Sequence, residues 1–592
     1  MTSTAKAAEA ELTWRAVLTG AVLGGVLSLC NIYSGLRIGW GFNMSITAAL
    51  LGWGFWRVVS GASGAPMLTK LENNLNQTGA SAGASISSAG LVSAIPAMTM
   101  LTGRELSYPE LACWLFVIGM VGVTVGIALR RQMVEVDKLP FANGIASAET
   151  LDKMYAAGAD AARKVRALVG AGAAAALAKT LLHFAHVANV ALPGSLSVGA
   201  RRASLMNLTV AIDPSPLMIA VGALGSVRTG ITMLCGGLFS WLVLGPWVIA
   251  NGWADVGADD PTQSWFGPMV RWLLWPGVSM MVTSSLTTVA LSWRSIVRTF
   301  TGGSVDASSE DGATRVMVDE VPRRAYLVLV AVVTVLAVIG QILLFDIAWW
   351  AALAGVLLSF VLAAVAGRVS GETTLTPVGA MGKVTQAAFA VLQPGSVTAN
   401  LMAANVTGGA AAQCAELLHD LKTGVLIGAS PRRQAIAQTV GVLGGAIAGS
   451  AAYLVLVPDP ARQLLTDEWP APAVATWRAV AELFAQGISS MPTGALEAMA
   501  IAGTLGIVLA VLERTLPKKY AALVPSPASL GLSFTIQAWT SFSLFFGSML
   551  GWALRRWAPE WSERYLTVVA SGVIAGESLA GVGIAIHAIL GG

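Results

Sequence analysis

Apolar runs long enough to cross a ~30 Å hydrocarbon layer recur from one end of the chain to the other, separated by short polar turns. Examples run from Ala16 to Cys30, Leu111 to Leu129, Tyr326 to Leu344, and Ile501 to Leu512 with its upstream turn. About 14 to 16 such segments of roughly 20 residues each use up most of the chain. The pattern predicts an all-α, polytopic integral membrane protein whose segments are transmembrane or re-entrant helices. The longest internal polar stretch, Arg298 to Arg324, has an acidic middle with Asp306, Glu310 and Asp311. It divides an N-terminal membrane half (1–297) from a C-terminal one (325–592), with 298–324 as a cytoplasmic linker.

Each half also holds segments too polar for lipid and too apolar for a loop. Glu72 to Gly90 reads ENNLNQTGASAGASISSAG, and Thr398 to Gln413 reads TANLMAANVTGGAAAQ. LPFANGIASA from Leu139 and MPTGALEAMA from Met491 form a second such pair. Corresponding members lie about 330 to 350 positions apart, the mark of repeat-related halves, and such interrupted segments point to a transporter binding site. Irregular or polar backbone cannot face lipid but can line a wet interior. The bland alternative is close helix packing, since Gly79 and Gly83, Gly445 and Gly449, and Gly572 and Gly576 have the spacing that lets backbones approach.

Composition narrows the class. Hydrophobic residues make up 55% of the chain and charged residues 11%, with a net charge of +4. That leaves no large soluble domain and no basic patch for nucleic acid. Arg130 and Arg131, the stretch from Arg294 to Arg324, Lys422 to Arg433, Lys518 and Lys519, and Arg555 and Arg556 belong on the cytoplasmic side by the positive-inside bias. The acidic loop from Asp255 to Ser264 belongs outside, and both termini are expected in the cytoplasm. The Ala-, Gly- and Arg-rich composition fits a bacterial inner (plasma) membrane, and the first apolar run reads as a helix rather than a signal peptide. Cys30, Cys113, Cys235 and Cys414 read as small core residues. No Walker loop, His-Glu-x-x-His or nucleophile elbow with a His partner is present, which disfavours a pump or an intramembrane enzyme. His183 and His186 read as packing residues, so no catalytic set, cofactor or metal site is predicted. A passive channel or a permease subunit stays open, and no oligomeric state is assigned.

Several motifs are more specific. NIYSGLRIGW from Asn31, ENNLNQTGASA from Glu72, LPFANGIASAETL from Leu139, GRVSGETTLTPVGAMGKVTQ from Gly367 and the run from Asn405 through CAELLHDLKTGVLIGASPRRQ resemble the oligopeptide transporter (OPT) family, in order and over nearly the whole chain. The resemblance implies about 16 helices and re-entrant segments in repeats. It also implies a proton-coupled symporter of small peptides or, in the yellow-stripe branch, of metal chelates and siderophore-like complexes. The implied partners are a small peptide or chelate, protons and the lipid bilayer.

Carboxylates inside apolar segments cost roughly 2.5–3.5 kcal/mol to insert and are functional candidates by default. Glu72, Glu149, Glu372, Glu416, Glu497 and Glu577 fit to different degrees. Glu372, bracketed by Gly371 and Pro377, leads the proton-coupling candidates, followed by Glu577, Glu149 and Glu497. The alternative is that each pairs with a cation such as Arg37, Arg228, Arg368 or Lys383 and holds helices in register. Substrate contact is assigned to Asn31, Tyr33, Asn73, Asn74, Gln77, Asn400, Asn405 and Gln413, whose donors and acceptors suit a zwitterionic peptide. Amides also serve as interhelical glue. His419 to Gln434 reads as a charged cytoplasmic loop in which Asp420 and Lys422 gate the inner mouth or form salt bridges.

Overall fold

In the computed structural model, residues 10–591 are described except 89, 188, 200, 295–296, 298–319, 374–375 and 488–490. Most of the expected linker, including Asp306, Glu310 and Asp311, lies outside the described residues. Numbering the helices in chain order and leaving short turns unnumbered, the first half holds α1 (Trp14–Ile38), α2 (Ser45–Ser63), α3 (Lys70–Ser88), α4 (Ala94–Thr102), α5 (Tyr108–Arg130), α6 (Ala142–Ala156), α7 (Gly158–Phe184), α8 (Pro216–Leu224), α9 (Val227–Phe239) and α10 (Phe266–Leu291). The second holds α11 (Arg323–Phe345), α12 (Trp349–Thr373), α13 (Val378–Leu392), α14 (Val397–Ile427), α15 (Pro431–Leu456), α16 (Pro472–Gln486), α17 (Ala495–Thr515), α18 (Pro527–Ser533), α19 (Ala538–Trp557) and α20 (Thr567–Gly591). Two small antiparallel ribbons between residues 190 and 212 are the strands among the described residues. Ten of the described helical spans are long and apolar enough to cross a membrane.

Local sequence sets the breaks. Thr13 caps α1 with its side chain on the Ala16 amide, and Gly39 ends it in the left-handed region at φ 90°. Ser107 and Glu110 form a capping box with Pro109 at the start of α5. The polar α3 and α14 lie in the middle: nearly every residue from Glu72 to Ser87 and from Ala399 to Asp420 is buried. Glycines bring their neighbours in. A Cβ at Gly441 or Gly445 would run into the backbone of Gly79 or Gly83, and Gly20 and Gly24 face α3 in the same way. The expected Gly572 and Gly576 pair meets α7 at Leu168 and Gly172. Cys30 and Cys414 are buried as expected, whereas Cys113 and Cys235 are exposed on the outer surfaces of their helices.

The packing repeats between halves. α1 and α2 flank α3 as α12 and α13 flank α14, and α15 rests on α3 as α5 rests on α14. α7 pairs with α20 as α17 pairs with α10. The halves therefore interlock rather than form separate bodies. Arg15–Glu72, Lys70–Asp152 and Arg433–Glu11 place the starts of α1, α3 and α15 and the end of α6 on one face. Arg104–Asp346 and the Ser264–Asp467 hydrogen bond mark the other face. α1 starts on the first face and α12 on the second, so the repeats are inverted.

Two equivalent turns show the symmetry at atomic detail. Phe141 (φ 43°) precedes α6 and donates its amide to the Gly371 carbonyl at the end of α12 (3.0 Å). Ala471 (φ 45°) precedes α16 and donates to the Leu36 carbonyl at the end of α1 (2.9 Å). The structural mate of the Leu139 turn is thus the turn at Trp469, not the segment at Met491 expected from sequence, which opens α17. Proline before a left-handed residue is the shared feature, and sequence texture alone does not separate it from other Pro–Gly openings.

The expectation that both termini share a face is also corrected. α20 runs alongside α7 in the same direction, with Gly572 against Leu168, Gly576 against Gly172 and His587 near Phe184. The described chain therefore starts its first helix on one face and ends its last on the other. Hydropathy alone does not separate the short α4, α8 and α18 from helices that cross.

Because Gly441 meets backbone rather than a movable side chain, Gly441→Val should lower stability by about 1–3 kcal/mol or more. Gly170, beside which a Cβ meets nothing within 4 Å, should tolerate Ala. Thermal unfolding of the two purified variants checks this; an unshifted midpoint for Gly441→Val would contradict the packing.

Candidate functional site

Beside the two polar helices, and closed by α8, α9, α10, α16, α18 and α19, lies a cavity of about 740 Å³, within the range of small-molecule sites. Both halves and both equivalent turns line it: Gly39 to Asn43 with Pro472 and Ala473 on one side, Asn143 with Thr376 and Val378 on the other. Ser85, Ser226, Thr229, Ser285, Ser529 and Ser548 add hydroxyls. The titratable side chains on its wall are Lys383, Glu416 and His419.

Glu416 and Asp420 sit one turn apart on α14, both buried. Glu416 accepts from Asn43 Nδ2 (2.9 Å). Asp420 accepts from Ser81 Oγ (2.8 Å) and Gln77 Nε2 (3.1 Å). The Ser45 hydroxyl lies 3.5 Å from each carboxylate and bridges them. His419 Nε2 meets Ser370 Oγ at 3.1 Å, with its ring edge-on to Phe141. Lys383 Nζ sits 4.1 Å above the centre of the Trp477 ring. Trp477 fits there because Gly382 carries no side chain: a Cβ would strike the ring.

None of the eight amide and tyrosine candidates lines this cavity. They form the layer behind it. Asn31 donates to the carbonyls of Phe42 and Ala84 and accepts from the Phe42 amide, which fixes the turn that presents Asn43. Tyr33 stacks edge-on against Trp469. Asn73 donates to Ala49 of α2, and at the equivalent place Asn400 exchanges two hydrogen bonds with Gln386 of α13. Asn74 accepts from Gln77, Asn405 accepts from Trp114 Nε1, and Gln413 donates to Ser85 Oγ and the Ala82 carbonyl. Gln77 and Gln413 therefore touch the site's own groups, and the others hold helices together.

The four carboxylates expected to couple protons stand away from the cavity wall. Glu372 ends α12 with a side chain 29% exposed and lies 3.3 Å from Arg368, which also binds Asp137 at 2.6 Å. The helix does break after it, as its flanking Gly and Pro predict. Glu577 is fully buried and accepts from Ser215 Oγ (2.6 Å) and the Leu217 amide (2.7 Å), capping the start of α8. Glu149 pairs with Lys153 on the surface, and Glu497 is exposed in the first turn of α17. The segment from His419 onward is a helix to Ile427 rather than a loop, and this is what buries Asp420. Spacing carried a signal for the pair: Glu416 and Asp420 are four apart, on one helical face.

The family model described as OPT oligopeptide transporter protein matches residues 11–588. The chain belongs to this family. A Saccharomyces cerevisiae protein named as an oligopeptide transporter is 24% identical over 97% of this chain and 95% of its own length. An Oryza sativa subsp. japonica protein named as a metal-nicotianamine transporter is 24% identical over 98% and 94%. A Haemophilus influenzae protein named as an oligopeptide transporter is 24% identical over 93% and 91%. In this OPT family member, the motif segments at Asn31, Glu72, Leu139, Gly367 and Asn405 all supply residues to the cavity wall or to the layer behind it.

Glu577 bonds only protein groups at the start of α8, so Glu577→Gln should lower stability by about 1–3 kcal/mol and leave the pH dependence of uptake unchanged. Thermal unfolding and uptake at two pH values check both halves of that statement.

Proposed function

We propose that this OPT family member is a secondary transporter that carries small oligopeptides through the central cavity, coupled to protons at the Glu416–Asp420 pair. The carrying observation is the cavity itself, walled by inverted halves and reached by an equivalent turn from each face. In such an arrangement, rocking of one repeat against the other exposes a fixed site to each side in turn. Two carboxylates that share the Ser45 hydroxyl repel when both are charged, so a proton or a substrate ammonium on the pair is favoured. Transport of metal chelates is the second reading, supported by the similarity to the rice protein.

The face bearing Arg15, Lys70, Arg131, Arg432, Lys519 and Arg556 is the cytoplasmic one, and the face with Asp255, Asp259, Asp346 and Asp459 is the outer one. Composition and the Haemophilus relative support the plasma membrane of a bacterium. The repeats join at the 298–324 segment.

The test is uptake of labelled di-, tri- and tetrapeptides by the purified chain in vesicles with an imposed pH gradient. Wild type should accumulate at least one peptide, Asp420→Asn should lose gradient-driven accumulation and keep substrate exchange, and Glu416→Gln, on the cavity wall, should lose accumulation and weaken exchange as well. Unaltered proton-driven uptake in both variants would remove the pair from the mechanism, and no uptake of any peptide would favour the chelate reading.

A further inference from the structure

We infer that Lys383 is the cavity's receptor for a substrate carboxylate, an assignment that rests on the transport reading above. Lys383 is 4% exposed and lies on the cavity wall. Its Nζ has no hydrogen-bond acceptor among the described residues. Other buried charged groups are matched: Glu72 binds Arg15, Arg368 binds Asp137, Glu577 caps α8, and Asp420 accepts from Ser81 and Gln77. Among the described residues, the ammonium rests against the Trp477 face, 4.1 Å away. A cation–π contact offsets only part of the cost of withdrawing an ammonium from water. The balance points to an anion that arrives in the cavity.

The chemistry of that anion follows from what else lines the wall. Glu416 is the carboxylate there, so the site presents opposite charges at separate places. Trp477 lies against Gly408 of α14, where a Cβ would stand 3.4 Å from its ring. Eight residues further along the same helix is Glu416, an axial distance of about 12 Å at 1.5 Å per residue. An extended chain covers about 3.3–3.6 Å per residue, so a ligand of about three residues spans the two sites. Its carboxylate meets Lys383 and its ammonium faces Glu416. The same carboxylate chemistry occurs in amino-carboxylate metal chelators, and the ammonium end separates the two sources.

The experiment is calorimetric binding of trialanine, trialanine amide and nickel–nicotianamine to the full-length purified protein, as wild type and as Lys383→Met. Wild type should bind trialanine roughly 10- to 100-fold more tightly than its amide, the range for a hydrogen bond to a charged group. Lys383→Met should bind both weakly and alike while melting like wild type. The comparison of acid with amide uses wild type alone, so it stands even if the variant folds poorly. If wild type binds the nickel chelate and not trialanine, a roughly 10- to 100-fold loss in Lys383→Met supports the carboxylate assignment with the chelate as its source. Wild type that binds trialanine with no amide penalty overturns the role of Lys383 and leaves the transport reading intact. Wild type that binds neither peptide nor chelate ends both readings.

Discussion

Enclosing two polar helices inside a membrane is the constraint from which the rest of the structure follows. α3 and α14 are rich in amides, hydroxyls and carboxylates, and lipid offers none of them a partner. Many of these groups find hydrogen bonds on a neighbouring helix, whose backbone carbonyls must come close enough to serve. Glycine makes that approach possible: Gly20 and Gly24 of α1 and Gly441 and Gly445 of α15 press on Gly79 and Gly83 of α3. The freed proximity lets Asn31 reach the Ala84 carbonyl and Gln413 reach the Ala82 carbonyl. The long apolar helices then form the outer wall, where α7, α11 and α17 present exposed Leu, Ile and Val to the surroundings.

The same constraint explains what was legible in the sequence. The polar segments from Glu72 and from Thr398 stand out against the apolar background, and they are the two central helices. Which of their residues line the cavity was not legible. A helix buried on every side has no apolar stripe, so an amide facing the cavity and one facing a neighbour look alike. Asn73 and Asn400 turned out to hold equivalent helix pairs, while Asn43 reaches Glu416. Asp420 was hidden for a related reason. HDLK reads as a charged loop, yet α14 continues through it because α3 supplies Ser81 and Gln77 at its flank. Which of the transmembrane or re-entrant segments are short helices such as α8 was not legible, since hydropathy measures apolar length and not depth.

Glu577 and Glu416 show how one residue type takes two roles by position. Glu577 spends its lone pairs on a helix start, where the amide dipoles favour a negative charge, and it is closed in by Ser215. Glu416 meets side chains from another part of the chain, Asn43 on the turn between α1 and α2 and Ser45 at the start of α2. A displacement of Asn43 and Ser45 would change the surroundings of Glu416 and leave the contacts of Glu577 with Ser215 and Leu217 in place. Coupling between a proton and a conformational change needs such differential contact.

The scaffold is symmetric and its chemistry is not. Inverted repeats place the turn at Phe141 and the turn at Ala471 at opposite ends of one cavity, with matching backbone hydrogen bonds. The titratable wall residues, Lys383, Glu416 and His419, all come from the second half, and the first half answers with neutral Asn43 on the wall and with Ser45, Gln77 and Ser81 behind it. A fully symmetric site would show the same charge at both ends, which no molecule with an ammonium at one end and a carboxylate at the other can satisfy. Duplication supplies the frame, and divergence of one copy gathers the titratable wall residues in the second half.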